Sequence, residues 1–308
     1  MNLQQLRYVA EVAERNLNVS EAARALHTSQ SGVSRQIGLL EEELGLDVFV
    51  RQGKRLVAIT QPGEEVLAIA RRMLRDIGAL RQVGEEYASG ELGRLTIATT
   101  HTQARYVLPD ILPAFMRQHP GVKVALHQGN PTQCCEYVVS GEADLAIATE
   151  AIDDFDLLVS LPCYQWNRSL IVAPDHPLLD VKPLTLAAIA AWPLITYDFS
   201  FTGGSSVNRA FAAKGLKPNV MLSAIDADII KTYVALGLGV GIVASMAFDE
   251  TVDRNLRAVD CSHLFPASTT RIGLHRNAWL RGYTYAFIQS FAASLTRDVV
   301  DAALGRRA

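Results

Sequence analysis

Cysteine is scarce in this chain of 308 residues, and what there is does not pair. Cys134, Cys135, Cys163 and Cys261 form no CxxC unit, and no histidine stands at zinc-finger spacing from them. A disulfide framework and a structural zinc module are thereby excluded. The adjacent Cys134–Cys135 pair would oxidise only with strain. Four reduced, mostly buried thiols are expected, with a reactive redox cysteine as the sharper alternative. Long apolar runs are missing too, and nothing reaches the ~18 residues of a membrane span. The opening MNLQQLRYVAEVAERN has no basic segment followed by an apolar one, so no signal peptide is read there and a cytoplasmic protein is expected. Neither charge sign dominates: 29 Lys and Arg stand against 32 Asp and Glu, a formal net charge of −3. Contact with nucleic acid must then come from a local patch, not from the field of the whole molecule. Catalytic signatures are also lacking. There is no Walker sequence, nucleophile elbow or HExxH, and no nucleophile–base or metal constellation, so no enzyme, no catalytic residue, no cofactor and no metal are expected. GLGVG, Gly237–Gly241, invites a dinucleotide reading, but it ends a helix and enters a strand, the reverse of that fingerprint. A helix C-cap and tight turn explains it better.

What is present is an ordinary globular composition, 49% hydrophobic and 20% charged, with material for more than one core. The length suggests two or three domains. Residues 2–60 read as short helices. Leu3, Leu6, Val9, Ala10 and Ala13 recur at helical spacing. A second helix runs through Glu21, Ala22, Ala23 and Leu26, with Ser20 as its N-cap candidate. After the break at His27-Thr28-Ser29, a third begins at Gln30 and carries Val33, Ile37 and Leu40 on one face. Its other face presents Gln30, Ser31, Ser34 and Arg35. Helix, short turn, helix with such a face is the helix-turn-helix pattern, whose second helix enters the major groove. Arg and Gln make bidentate base contacts, and Ser bonds phosphate or base. A solvated face in an ordinary bundle is the alternative that the pattern alone leaves open. Two strand-like runs in FVRQGKRLVAIT then flank Arg51, Lys54 and Arg55, a hairpin with a basic tip suited to gripping phosphates. Glu41, Glu42 and Glu43 group beyond the third helix and offset these bases.

Pro62 opens a long helical stretch to about Ser89. Val66, Ile69, Ala70, Met73, Ile77, Leu80 and Val83 make a stripe that a lone helix cannot bury, so a second copy of the chain is expected to cover it. From residue 94 strands and helices alternate, which implies a parallel, doubly wound sheet. Two α/β lobes joined by crossings near 162–166 and 265–270 fit the count. Three polar clusters stand at strand ends, where open α/β sheets bind ligands: Thr99–Gln103, Thr149-Glu150, and Phe201 to Ser206. Their hydroxyls and backbone N–H groups suit an oxyanion. Glu150 is better matched to an ammonium. Helix capping by Thr100, Thr102 and Ser205 is the better explanation of any one cluster, whereas three together point to a cleft. The α/β region alone would also suit a secreted solute-binding protein or an enzyme scaffold.

NVSEAARALHTSQSGVSRQIGLLEEELGLDVFVR resembles the helix-turn-helix of LysR-type transcriptional regulators. ATTHTQARYVLP, HQGNPTQ, ADLAIATE, PCYQWNR, DHPL, ITYDFSFTGGS, KTYVALGLGVGIVASMA and LTRDVVDAA extend the resemblance over nearly the whole chain, to the CysB-like branch that controls sulfur assimilation and cysteine biosynthesis. FVRQGKRL and KTYVALGLG are closer to the Cbl-like, sulfonate- and sulfate-starvation branch. The resemblance implies a winged helix-turn-helix (mainly α), a long linker helix for dimerisation, and a two-lobed α/β effector domain of the periplasmic-binding-protein type. Residues 1–60, 61–90 and 91–308 would form these parts, with lobe I over about 93–163 and 267–296 and lobe II over about 165–265. It further implies a homotetramer built as a dimer of dimers, acting on promoter DNA with RNA polymerase, mainly as an activator. The implied effectors are sulfate, thiosulfate, adenosine phosphosulfate and O- or N-acetylserine. The matching ligand positions are Thr100, Thr102, Gln103, Thr149 and Thr202, with His101, Glu150 and Trp166 as pocket neighbours. Two departures stand out: Gly204 follows Thr202-Gly203 where the family often has arginine, and Cys134-Cys135 replaces more usual apolar and small residues.

Overall fold

A computed structural model describes residues 1–53, 55–89, 93–149, 151–198 and 206–306, with the side chains at 75, 79, 81–89 and 206 left aside. The chain divides into two compact units, Met1–Leu92 and Gly93–Ala308.

The first unit opens with α1 (Leu3–Glu14), started by a reciprocal capping box between Asn2 and Gln5. α2 (Val19–Ala25) follows; its N-cap is Asn18, whose side chain accepts from the N–H groups of Ser20 and Glu21. The Ser20 cap read from the sequence is thus corrected by two residues. Asn18 wins because its carbonyl reaches both orphan donors of the first turn. α3 (Gln30–Leu44) is capped by Ser29 and stopped by Gly45 in the left-handed region. Glu41 to Glu43 lie inside its last turns, not beyond it. β1 (Phe49–Gln52) and β2 (Arg55–Ile59) pair antiparallel, and α4 (Gln61–Ser89) follows. Leu6, Val9, Ala22, Val33, Ile37, Leu40, Phe49, Leu67 and Ala70 share one core. Leu3, placed by periodicity on the buried stripe of α1, is exposed instead. The stripe of α4 divides. Leu67 and Ala70 are buried in the unit's own core, whereas Ile69, Met73 and Leu80, on one face at i, i+4 and i+11, are exposed.

The second unit contains two five-stranded sheets. Its elements in chain order begin with β3 (Gly93–Thr99), α5 (His101–Tyr106), α6 (Leu108–Gln118), β4 (Val122–Gln128), α7 (Pro131–Ser140), β5 (Leu145–Ala148) and β6 (Leu158–Trp166). The chain then passes into β7 (Arg168–Val172), α8 (Leu186–Ala190), β8 (Leu194–Tyr197), α9 (Ser206–Ala213), β9 (Val220–Ala224), α10 (Ala227–Ala235), β10 (Val240–Ala244) and β11 (Arg257–Asp260). It returns through β12 (Ser268–His275) to α11 (Gly282–Phe291) and α12 (Arg297–Ala303). Lobe I holds the order β4-β3-β5-β12-β6 and lobe II the order β11-β7-β10-β8-β9. LAIA, RSLIV and VGIVA are buried at every position, as strands covered on both faces must be.

The sheets are mixed, which corrects the purely parallel reading. β12 runs antiparallel to β5 and β6, and β7 runs antiparallel to β10 and β11. The cause is the crossing between lobes: β7 and β12 are the strands by which the chain arrives from the other lobe, and each enters its sheet from the opposite end. The expected crossings at 162–166 and 265–270 are also shifted. β6 continues as a strand to Trp166 and β12 begins at Ser268, so the links are Asn167 and residues 261–267. In GLGVG, Gly237 ends the α10 turn at φ +76°, and a Cβ at Gly239 would lie 2.3 Å from the Pro193 carbonyl oxygen. Close backbone approach, not nucleotide binding, accounts for those glycines.

Candidate functional site

The surface of the first unit follows from how α3 is buried. Val33, Ile37 and Leu40 point inward, which leaves Gln30, Ser31, Ser34 and Arg35 exposed together on the opposite face, near the helix start. In the hairpin, Arg51 and Arg55 are both exposed, and Lys54 lies outside the described residues. The two arginines differ in their partners. The Arg51 guanidinium pairs with Glu41 at 2.6 Å and lies 3.9 Å from Asp47. Glu41 is buried and also accepts from the N–H groups of Val48 (2.9 Å) and Phe49 (3.2 Å). Arg51 therefore neutralises a carboxylate that pins the hairpin to α3. Arg55 makes no ion pair among the described residues.

In the second unit, one cavity of about 450 Å³ is lined from both sheets, within the range of small-molecule sites. It sits at the carboxyl ends of β3, β4 and β5 in lobe I and of β8 and β9 in lobe II. Strand order reverses at β3, between β4 and β5, and at β8, between β9 and β10. Such switch points open a crevice because the adjoining helices leave in opposite directions. Thr100, His101, Thr102, Gln103, Thr149 and Trp166 all line it. Thr202 and Glu150 lie outside the described residues.

Each lining side chain has its own bonding state. Thr100 is the N-cap of α5 but makes no capping hydrogen bond, so its hydroxyl is not committed to the helix. Thr102 shares a hydrogen bond with the Tyr197 hydroxyl of lobe II. Burial raises the Tyr197 pKa, against the lowering effect of that bond, and the phenol stays protonated. Gln103 is buried, donates to Thr270 Oγ1 at 3.2 Å and accepts from the Tyr164 hydroxyl. It therefore shapes the cavity wall more than it reaches into the space. Two buried ring nitrogens in the wall, His101 Nδ1 and Trp166 Nε1, have no hydrogen-bond partner among the described residues. An indole N–H can only donate, and leaving it unmade is costly.

Several lining residues were not anticipated. Asn130 and Gln133 form the capping box of α7. Tyr197, Asp198 and Asp226 come from lobe II. The strand end after PLITY was the signal for Tyr197 and Asp198, one step before the cluster at Phe201. Arg168 opens the apolar run RSLIV. It is buried, its guanidinium stands 5.0 Å from the Trp166 ring centroid, and it donates to Ser268 Oγ at 3.0 Å. A charge inside an otherwise apolar strand was the clue available for it.

Arg105 and Tyr106 lie farther along α5, and both reach Asp228 of α10 in the other lobe. Tyr106 donates to its carboxylate, Arg105 Nε lies at 3.6 Å and His101 Nε2 at 3.8 Å. Lys231 joins Asp228 (3.3 Å) to Asp253 (3.1 Å). Burial pushes the Asp228 carboxyl up, but the Tyr106 hydroxyl and then Lys231 outweigh it, so its pKa falls below the usual value. A second cleft of about 750 Å³ opens beside this clasp, and Arg105, Lys231, Asp228 and Asp253 in its wall are bound to one another. Cys134 and Cys135 are buried on α7, where burial first of all pushes both thiols up to about 12 and keeps them neutral. Among the described residues no group of His, Cys, Asp and Glu is arranged to hold a metal, and no helix is long and apolar enough to cross a membrane.

Comparison with known proteins places both units. Residues 3–64 match the bacterial regulatory helix-turn-helix protein family, lysR type, and residues 88–296 match the LysR substrate binding domain. The HTH-type transcriptional regulator CysB of Burkholderia cenocepacia is 50% identical over 304 residues, 99% of this chain and 97% of that protein. The regulator SsuR of the same organism is also 50% identical, over 295 residues and 96% of each chain. Among solved structures, the cofactor-binding domain of the Cbl transcriptional regulator superposes with a TM-score of 0.66 at 46% identity, covering 69% of this chain and 93% of that one.

Proposed function

Because the chain belongs to the LysR family of bacterial helix-turn-helix regulators, we propose that it controls sulfur-acquisition genes, mainly as an activator, in response to a small effector held between its lobes. Residues 1–60 serve DNA, 61–90 dimerisation and 91–308 the effector. The observation that carries this reading is a cavity at two facing topological switch points, lined by hydroxyls, amides and one buried arginine. Such a wall suits an oxyanion such as sulfate, thiosulfate or adenosine phosphosulfate. O- or N-acetylserine also fits the hydroxyl and amide chemistry of this wall. Thr100, Thr102, Gln103, Thr149 and Thr202 are the proposed ligand positions, with His101, Glu150 and Trp166 beside them. Gln30, Ser31, Ser34 and Arg35 face the bases, and Lys54 and Arg55 face the phosphates, whereas Arg51, expected beside them, is held by Glu41.

The mechanism follows from the two lobes. A ligand that prefers the closed cleft shifts the population toward closure by its difference in affinity for the two states. In a tetramer built as a dimer of dimers, closure re-spaces the paired DNA-binding units on promoter DNA and alters engagement of RNA polymerase. The exposed Ile69, Met73 and Leu80 face of α4 supports pairing of two chains. The protein works in the cytoplasm by binding its effector, not by turning it over. Identity of 46% to the cofactor-binding domain of Cbl, close to the 50% to CysB, supports a Cbl-like, sulfonate- or sulfate-starvation regulator as a second reading. The test is a footprint on a target promoter across titrations of sulfate and of O-acetylserine. Protection is expected to lengthen or shorten with at least one of them, and an identical footprint at every concentration rejects the switch.

A further inference from the structure

We infer that His101 reports occupation of the cavity to the Asp228 clasp: its Nδ1 accepts an N–H from the effector, and its Nε2–H then closes on Asp228 of the other lobe. This rests on the reading above that the cavity holds the effector. Asp228 is bonded on one side only. Its Oδ1 accepts from the Tyr106 hydroxyl and lies 3.3 Å from Lys231 Nζ. Among the described residues its Oδ2 meets only Arg105 Nε at 3.6 Å and His101 Nε2 at 3.8 Å, and neither separation is a hydrogen bond. Both groups belong to α5 of lobe I, as Tyr106 does, so the clasp across the lobes is half made. A movement of about 1 Å by the imidazole completes it. The ring is 27% exposed, which leaves it room to turn.

The other end of the same ring belongs to the cavity. His101 lines it, and Nδ1 is buried without a hydrogen-bond partner among the described residues. In a neutral imidazole one nitrogen donates and the other accepts, whereas a carboxylate only accepts. Nε2 therefore keeps its proton toward Asp228, and Nδ1 presents a lone pair that an amide or ammonium N–H satisfies. Trp166 Nε1, also unpartnered in this wall, can only donate, so the effector must bring an oxygen acceptor as well. An acylated amino acid such as N-acetylserine carries both groups, and sulfate carries acceptors alone. A buried polar group left unmade is costly, so a ligand that meets Nδ1 fixes the ring and holds Nε2–H on Asp228 Oδ2. Sulfate fills the cavity without that signal.

The test uses the full chain, with calorimetry for affinity and with N-acetylserine and sodium sulfate as the two probes. His101→Phe keeps a ring but removes both nitrogens. It is expected to weaken N-acetylserine about tenfold, the usual cost of an unmet donor, and sulfate less than about threefold. Equal losses for the two probes would assign the ring to packing and overturn the role. In an Asp228→Asn background the same substitution should cost N-acetylserine less than about threefold, and an undiminished loss overturns the link to the clasp. If His101→Phe does not fold, Asp228→Asn alone carries the test: weaker N-acetylserine binding, with sulfate within about threefold of wild type. Wild-type affinity for N-acetylserine in that variant overturns the coupling. Binding of sulfate but not of N-acetylserine by the wild type would overturn the inference and leave the cavity an effector site. Binding of neither would overturn the effector reading of the cavity, and the inference with it.

Discussion

The two lobes share a scheme but divide the chemistry of the cavity. Each has three parallel strands with the first of them in the middle, β4-β3-β5 and β9-β8-β10, and each receives an antiparallel strand from a crossing. Yet among the described lining residues lobe I offers Thr100, Thr102, Gln103, Gln128 and Thr149, neutral donors and acceptors, with His101 as its titratable group. Lobe II offers Arg168, Asp198 and Asp226. Lobe I thus sets shape and hydrogen-bond direction, and lobe II sets charge. On the proposed function, a ligand that meets only one wall meets half of the requirements, and the closed state would bind it best. Differential affinity of that kind is what a switch requires.

Substitutions that blur this division are ordered here by expected effect. Gln103→Leu attacks the neutral wall from behind. It strands the Tyr164 and Thr270 hydroxyls, so thermal unfolding is expected to report a loss of about 2–3 kcal/mol, from the usual cost of buried unmade hydrogen bonds. A change within error would show that Gln103 is not held as described. Thr102→Val with Tyr197→Phe addresses the bond that spans the lobes. A double-mutant cycle on effector affinity should give a coupling of about 1 kcal/mol. Strict additivity would separate the two walls altogether.

The contrast between a held charge and an open one recurs at the hairpin. Arg55→Ala is expected to lower the slope of log affinity against log salt by about 0.9, one phosphate contact. Arg51→Ala should chiefly lower stability, by uncovering buried Glu41. Identical salt slopes and melting curves for the two variants would remove the distinction. Arg35→Ala should weaken specific binding more than non-specific binding in competition assays, and equal losses would deny it a base contact.

The smallest effect belongs to the clasp. The folded-state pKa of Asp228 is depressed, so its stabilising contribution is present above the unfolded carboxyl value of about 3.9 and is lost as pH falls through the folded value. The residue is 41% exposed, and solvent screening limits the gain to less than about 1 kcal/mol. Urea midpoints followed from pH 5 to pH 3 should fall more steeply for wild type than for Asp228→Asn. Parallel curves would mean that the clasp contributes nothing.

The legibility of the molecule follows the sequence separation of its parts. The face of α3 lies within Gln30 to Arg35, so helical periodicity alone displays it. TTHTQAR stood out as polar residues at a strand end, and the uncommitted Thr100 hydroxyl favours a cavity over capping. The rest of the wall was harder to read. Tyr197 ends the strand LITY and Asp226 caps α10, and neither local role reveals that the two share one cavity. Arg105 turns to Asp228, 123 positions along the chain, a pairing that no local pattern marks. The parallel reading failed for β12 and β7 because pattern gives the period of a strand and not its direction.

What the sequence by itself determined is the local framework: the helix periods, the buried runs LAIA, RSLIV and VGIVA, and the family to which they add up. Those features depend on neighbours a few residues apart, where backbone geometry leaves little choice. The tertiary structure decided which polar groups share one cavity, which arginine is held and which is open, and that His101 stands between the cavity and the clasp. These are distances between residues remote in sequence, set by how the two sheets pack and cross, and no local pattern encodes them.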